Sequence, residues 1–198
     1  NELFKNILFK HSYSEKPPFK KLKVKVKSEI ISIKKEVNNI FDINRNYIDP
    51  KELEKKLDNG ENIHLLDTRN IYEVYIGTFK NAKNLNILKF DEFVDKIDEL
   101  KKIEGEVVMF CTGGIRCEKA MGYLNEKGIN SFRQLKGGII NYLNETNGNH
   151  WNGECFVFDD RITLDENLNP TYKKLCPKCQ KVINTFDRTK CKECRQSG

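Results

Sequence analysis

Apolar positions along this chain switch between a period of two and a period near 3.6, and the switching predicts its elements in order. Lys21-Leu22-Lys23-Val24-Lys25-Val26-Lys27 alternates strictly. That predicts a half-buried strand with Leu22, Val24 and Val26 inward and lysines outward. The lysine face has two readings, a solvated strand surface or a ridge that meets nucleic-acid phosphates. Asp49 as N-cap, Pro50 in the first turn, Leu53 and Leu57 on one face and Gly60 past the end predict a helix. Ile63-His64-Leu65-Leu66 predicts a short buried strand ending at Asp67-Thr68-Arg69, and Asn70 to Ile87 reads as a loop. Asp91 caps a second predicted helix with Phe93, Val94, Ile97 and Leu100 on one face. The run Val107-Val108-Met109-Phe110 is a buried strand. A helix follows from near Cys117, with Ala120, Met121 and Leu124 inward and Gly128 as its stop. Ser131 to Leu135 is a further strand closed by Lys136-Gly137-Gly138, and Ile139, Ile140 and Leu143 open the last helix.

Strands alternating with helices predict an α/β fold with a central parallel sheet covered on both faces. Ligands of such sheets bind beyond the carboxyl ends of the strands, which is where Cys111 falls. The segment Cys111-Thr112-Gly113-Gly114-Ile115-Arg116 joins a buried strand to a helix start. Its consecutive N–H groups, the helix N-terminus and the Arg116 cation predict an anion cradle of Thr112, Gly113, Gly114 and Ile115 around the Cys111 sulfur. The same field would keep Cys111 a thiolate near neutral pH, exposed at the rim of the sheet. The plain structural alternative is a buried cysteine beside a tight Gly-Gly turn.

Composition narrows this picture only modestly. At 198 residues the chain holds one full domain with small appendages. Its 38% hydrophobic content suffices for one core, and its formal net charge of +6 favours a polyanionic partner only weakly. No stretch reaches transmembrane length, so no membrane association is expected, and none reads as a signal peptide. A start at Asn1 rather than Met reads as a fragment. The seven cysteines do not form a disulfide framework and fit a reducing, cytoplasmic compartment.

Spacing within the loop narrows the chemistry. Cys-x4-Arg is one residue shorter than the Cys-x5-Arg loop of cysteine phosphatases. A smaller ring suits a persulfide or the outer sulfur of thiosulfate rather than a tetrahedral phosphate. In this the loop resembles the rhodanese family, whose cysteine attacks a sulfur donor and holds the sulfur as Cys–S–S⁻. Further segments narrow the resemblance: Asp67-Thr68-Arg69-Asn70, Tyr72-Glu73, Ile76-Gly77-Thr78-Phe79, the run from Cys111 to Ala120, Leu135-Lys136-Gly137-Gly138-Ile139 and Gly153-Glu154-Cys155-Phe156-Val157-Phe158-Asp159. Together they resemble the rhodanese-domain tRNA uridine hydroxylases, which make 5-hydroxyuridine at the wobble position with molecular oxygen.

The resemblance covers about residues 60–165 and implies a rhodanese-like three-layer α/β/α fold. It implies Cys111 as the persulfide-forming active-site residue assisted by Arg116, tRNA as partner, and oxygen as co-substrate. It also implies a rhodanese domain at 46–146, preceded at 1–45 by the basic remnant of an N-terminal ferredoxin-like α/β domain and followed at 147–170 by a C-terminal extension. The proline that rhodaneses carry near Ala82-Lys83-Asn84 is absent, so that loop is expected to differ in shape. Two rivals stand beside it: a plain sulfurtransferase using a small sulfur donor, and a silent rhodanese module that binds a partner. Sequence does not decide the oligomeric state.

Other residues are read against their plain alternatives. Cys117 is either a resolving thiol for Cys111 or a small apolar residue packed on the first helical turn. Asp67, Arg69 and Glu73 are expected to brace the loops rather than to move protons, since no histidine completes a set with them. His11, His64 and His150 are scattered. Lys119 either meets an anionic substrate or lies on a solvated helix face. Phe156, Val157 and Phe158 either clasp the core or stack on an unpaired base, and Cys155 reads as buried. In the tail at 171–198, Cys176-Pro177-Lys178-Cys179 and Cys191-Lys192-Glu193-Cys194 have the paired spacing of a structural zinc knuckle with four cysteine ligands. Disulfides and disorder are the alternatives. The lysines and arginines around it could grip an RNA backbone.

Overall fold

The computed structural model describes residues 14–35, 37, 46–171, 173–176 and 182–184. A five-stranded sheet runs through the centre, in the order β1 (Tyr47–Ile48), β6 (Phe132–Leu135), β5 (Glu106–Phe110), β2 (Ile63–Asp67), β4 (Lys83–Asn84). Every neighbouring pair in it is parallel. The predicted α/β class with a central parallel sheet is therefore correct.

The continuous apolar run of β5 has a direct structural reason. Successive side chains leave a strand on opposite faces, and here both faces are covered. Val107 and Met109 enter one core, Val108 and Phe110 the other. Leu66 and Leu65 of β2 divide in the same way. The first core is closed by a 3-10 helix (Phe90–Lys96), α3 (Ile97–Leu100) and α4 (Ile115–Glu126). The second is closed by α1 (Pro50–Asp58) and α5 (Gly138–Glu145). Pro50 starts α1 behind Asp49, and Leu53 buries its inward face.

Several sequence expectations need correction. Residues 21–27 form no strand, and Leu22, Val24 and Val26 are 93%, 89% and 101% exposed. A period-two pattern makes a strand only where another strand meets its backbone groups, and none of the described residues does so there. The chain instead docks a little later, where Ile33 is fully buried against Leu66 and Leu85 and Lys34 pairs with Asp91 at 2.6 Å. The expected loop at 70–87 holds α2 (Ile71–Val74), β3 (Gly77–Phe79) and β4. Asp91 does not cap an α-helix but lies inside the 3-10 segment, whose N-cap is Lys89. Phe93, Ile97 and Leu100 still bury the predicted face. The helix after the cysteine loop begins at Ile115, ahead of the predicted start.

Beyond α5 the chain returns as an arm across the carboxyl side of the sheet. Strand β7 (Trp151–Gly153) pairs antiparallel with β3, and β8 (Cys155–Phe156) with β9 (Thr163–Leu164). The arm is pinned by aromatic rings: Phe79 meets Phe110, Tyr142 and Trp151 edge-on at 4.8, 4.6 and 5.3 Å. The Asp160 amide donates to the Pro18 carbonyl at 2.9 Å, tying the arm to the N-terminal stretch. A small hairpin follows, β10 (Lys173–Leu175) with β11 (Val182–Asn184). Of the four proposed zinc ligands only Cys176, which is buried, is described; Cys179, Cys191 and Cys194 lie outside the described residues, as does His11. Among the described residues no helix is long and apolar enough to cross a membrane.

Because Phe79 joins sheet, α5 and arm in one ring cluster, Phe79→Ala is expected to cost about 3–5 kcal/mol of stability. Chemical denaturation of the two proteins measures that difference.

Candidate active site

Three elements converge at the carboxyl ends of β2 and β5: the loop after β5, the short helix α2 and the arm. Cys111 follows β5 directly. Its carbonyl accepts from the Ile139 amide at 3.0 Å, and that of Thr112 accepts from the Ile140 amide at 3.1 Å. The loop is thereby bolted to the start of α5. Gly138 makes this approach possible: with φ at +70°, it lies where a Cβ would stand 2.4 Å from the Cys111 carbonyl oxygen and 2.8 Å from the Gly114 nitrogen. Gly114, at φ +87°, turns the loop into α4 and aims its amide at the Cys111 sulfur, 3.1 Å away.

Arg116 does not close the ring around the sulfur as expected. Its guanidinium forms two parallel bonds to the buried Glu73 carboxylate, Nη1 to Oε2 at 2.6 Å and Nη2 to Oε1 at 2.8 Å. Thr112 Oγ1 lies 3.3 Å from Nη2 and 3.5 Å from Glu73 Oε1. Glu73 also accepts from the Asn70 amide at 3.2 Å, completing a capping box on α2. Behind this pair sits another: buried Arg69 chelates Asp67 with contacts of 2.9 and 2.6 Å and donates to the Gly77 carbonyl at 2.6 Å. Thr78 donates to the same Asp67 carboxylate at 2.8 Å. Asp67 and Arg69 thus staple β2 to β3, while Glu73 holds the loop cation.

The electrostatic outcome is a thiolate. Hydrogen bonding from the Cys117 thiol is the largest influence on Cys111 and lowers its pKa. Burial opposes, while the Arg116 charge and the amides of Cys117 and Arg116 assist, and the net result is a pKa of about 5. Cys117 moves the opposite way, well above the ordinary thiol range, through burial and then through the neighbouring anion. Cys155 is pushed up to about 12 by burial, so it stays a thiol. The Arg116 pKa is raised, because Glu73 and the Cys111 thiolate outweigh the effect of burial.

One expectation fails: Cys111 is at the rim but not exposed, with 1% of its surface accessible. The arm is the reason. Thr112 Oγ1 donates to the Phe156 carbonyl at 3.4 Å, and the Phe158 ring lies over the Arg116 guanidinium at 5.6 Å. The segment divides between its two readings. Phe156 and Val157 are packed, whereas Phe158 is 62% exposed and meets Phe156 edge-on at 5.0 Å. Among the cradle residues Ile115 faces outward, Gly113 is half-buried and Thr112 is buried. Lys119 pairs with Glu29 at 2.7 Å, and His150 with Asp58 at 2.7 Å, away from the loop.

Sequence reasoning gave no role to Gly138 or Thr68. The paired glycines 137 and 138 before a helix were a usable signal for the first. Thr68, whose hydroxyl donates to the Phe110 carbonyl at 3.0 Å and lies 3.5 Å from Cys117 Sγ, left none.

Comparison with known proteins gives a consistent answer. The rhodanese-like domain family matches residues 49–145. The chain is similar to a "tRNA uridine(34) hydroxylase" of Cupriavidus pinatubonensis, 43% identical over 192 residues, which cover 93% of this chain and 68% of that protein. A protein of the same name from Picosynechococcus is also 43% identical, over 93% of this chain and 63% of its own length. The chain thus spans about two thirds of the length of these relatives. Among solved structures it is similar to a rhodanese-like domain protein from Staphylococcus aureus, 28% identical with a TM-score of 0.42, over 48% of this chain and 89% of that one.

Three outcomes follow from the site. The ultraviolet absorbance of the Cys111 thiolate, read against Cys111→Ser, is expected to disappear as pH falls through about 5, because a lowered pKa keeps the anion at every higher pH. In Gly138→Ala the midpoint moves upward, since the added Cβ displaces the Gly114 amide. Glu73→Gln leaves a buried guanidinium without its counter-charge and is expected to cost about 3–5 kcal/mol in chemical denaturation.

Proposed function

The chain belongs to the tRNA uridine(34) hydroxylase family, and from that membership we propose that it hydroxylates the wobble uridine of tRNA through Cys111. The observation that carries this reading is the Cys111 sulfur at the end of β5, 3.1 Å from the Gly114 amide, in surroundings that lower its pKa. A thiolate is a far stronger nucleophile and electron donor than a thiol. The reaction replaces C5–H of uracil by C5–OH. With molecular oxygen as co-substrate, one oxygen atom enters the base and the other leaves as water, which consumes two electrons and two protons.

The surroundings suit an unpaired base. Phe158 offers an exposed aromatic face beside the Arg116 cation, and bases stack on such rings in a sequence-tolerant way. Stacking there would draw the arm off Cys111 and open the buried sulfur to the pyrimidine. Arg116 and the loop amides of Thr112, Gly113, Gly114 and Ile115 would balance the negative charge that accumulates on the reacting atoms. The net positive charge favours tRNA phosphates. Zinc bound by Cys176, Cys179, Cys191 and Cys194 would be structural and would order the tail. A tRNA substrate would be met in the cytoplasm, the compartment that fits this role.

A sulfurtransferase reading draws on the same thiolate, since a Cys111 persulfide would occupy the same cradle. Deletion of the gene is expected to abolish wobble 5-hydroxyuridine made by this route, as read by mass spectrometry of bulk tRNA. Wild type restores it and Cys111→Ser does not. Unchanged modification in the deletion strain refutes the hydroxylase, and transfer of sulfur from thiosulfate to cyanide would then identify a sulfurtransferase.

A further inference from the structure

We infer that Cys111 and Cys117 are a dithiol couple that closes to an internal disulfide and delivers two electrons in each turnover. The inference rests on the hydroxylase reading for the use of those electrons, while the couple itself is a property of the chain without substrate.

Geometry supplies the argument. Cys111 and Cys117 are both buried in the same core cluster, at 1% and 0% exposure. Cys111 ends the extended segment after β5 and Cys117 sits in the first turn of α4, so the chain between them is one tight loop. Thr68 Oγ1, fixed by its bond to the Phe110 carbonyl, touches the Cys117 sulfur at 3.5 Å and keeps it close to the reactive loop. Neither sulfur is bonded to another, and both are buried. Packing alone would be served by any small apolar side chain. Cys155 shows the difference: it is equally buried, yet it belongs to the other core, where its sulfur contacts the Phe156 carbonyl at 3.7 Å.

The two sulfurs are chemically unlike, one ionised and one protonated. Thiol–disulfide chemistry uses that asymmetry: the thiolate is oxidised first, then the neighbouring thiol releases its proton and closes the bond. The balance is complete. Uridine C5–H, O2 and two thiols give C5–OH, water and one disulfide. An external small thiol then reopens the disulfide and is itself oxidised.

The test uses the reduced protein, freed of added reductant, in two arms. Without RNA, stoichiometric hydrogen peroxide is expected to convert two thiols to a disulfide with release of two waters. Peptide mapping after alkylation then finds Cys111 linked to Cys117, with Cys155 still a free thiol. Cys117→Ser keeps a hydroxyl donor on the thiolate, so Cys111 stays ionised, but it stops at the sulfenic acid. With unmodified tRNA under oxygen, wild type is expected to gain one disulfide per 5-hydroxyuridine formed. Cys117→Ser loses turnover while retaining the titration midpoint of Cys111. Absence of the linked peptide after peroxide overturns the inference. So does wild-type turnover in Cys117→Ser, which leaves the hydroxylase reading intact. A chain that forms the disulfide but modifies no tRNA supports the couple and overturns the hydroxylase reading.

Discussion

The bond between Arg116 and Glu73 is the constraint on which the site depends. It joins the first turn of α4 to α2, two elements that enter the site from different strands of the sheet. A buried guanidinium without a partner would be strongly unfavourable, and a buried carboxylate equally so. Each therefore fixes the other, and Thr112 and the Asn70 amide take up their remaining hydrogen-bonding capacity. The Arg116 charge is thus placed beside the Cys111 sulfur without touching it. Its positive field is shared between a permanent carboxylate and a thiolate that can ionise.

That arrangement explains how an anion persists with almost no contact with water. Burial alone raises a thiol pKa, as Cys155 shows. At Cys111 the Gly114 amide and the Cys117 thiol replace the lost hydration, the first a backbone donor fixed by the loop and the second a side chain in the first turn of α4. Gly138 is the mechanical condition for this, because only a residue without a Cβ lets α5 begin directly against the loop. The arm then covers the site through Phe156 and Phe158.

Much of the fold was legible in the sequence. Long apolar runs such as 107–110 reported a strand buried on both faces, and helices with one apolar stripe were found within a few residues. Two-residue strands such as β1 and β4 carry too little pattern to be seen, since tertiary pairing alone creates them. The alternating lysine run misled for the opposite reason: its pattern was clear, but no described strand meets it. Within the site, spacing and residue type identified the loop and its bracing residues. They did not give the direction of Arg116, the closed arm or the role of Gly138, all of which depend on segments distant in sequence.

The hydrogen bond between Asp160 and Pro18 acquires a meaning from this layout. Asp160 lies two positions beyond Phe158, whose ring lies over the Arg116 guanidinium, and Pro18 opens the lysine-rich stretch that stands free of the sheet. The course of the arm beyond the site is thus tied to the course of the N-terminal stretch by one main-chain hydrogen bond.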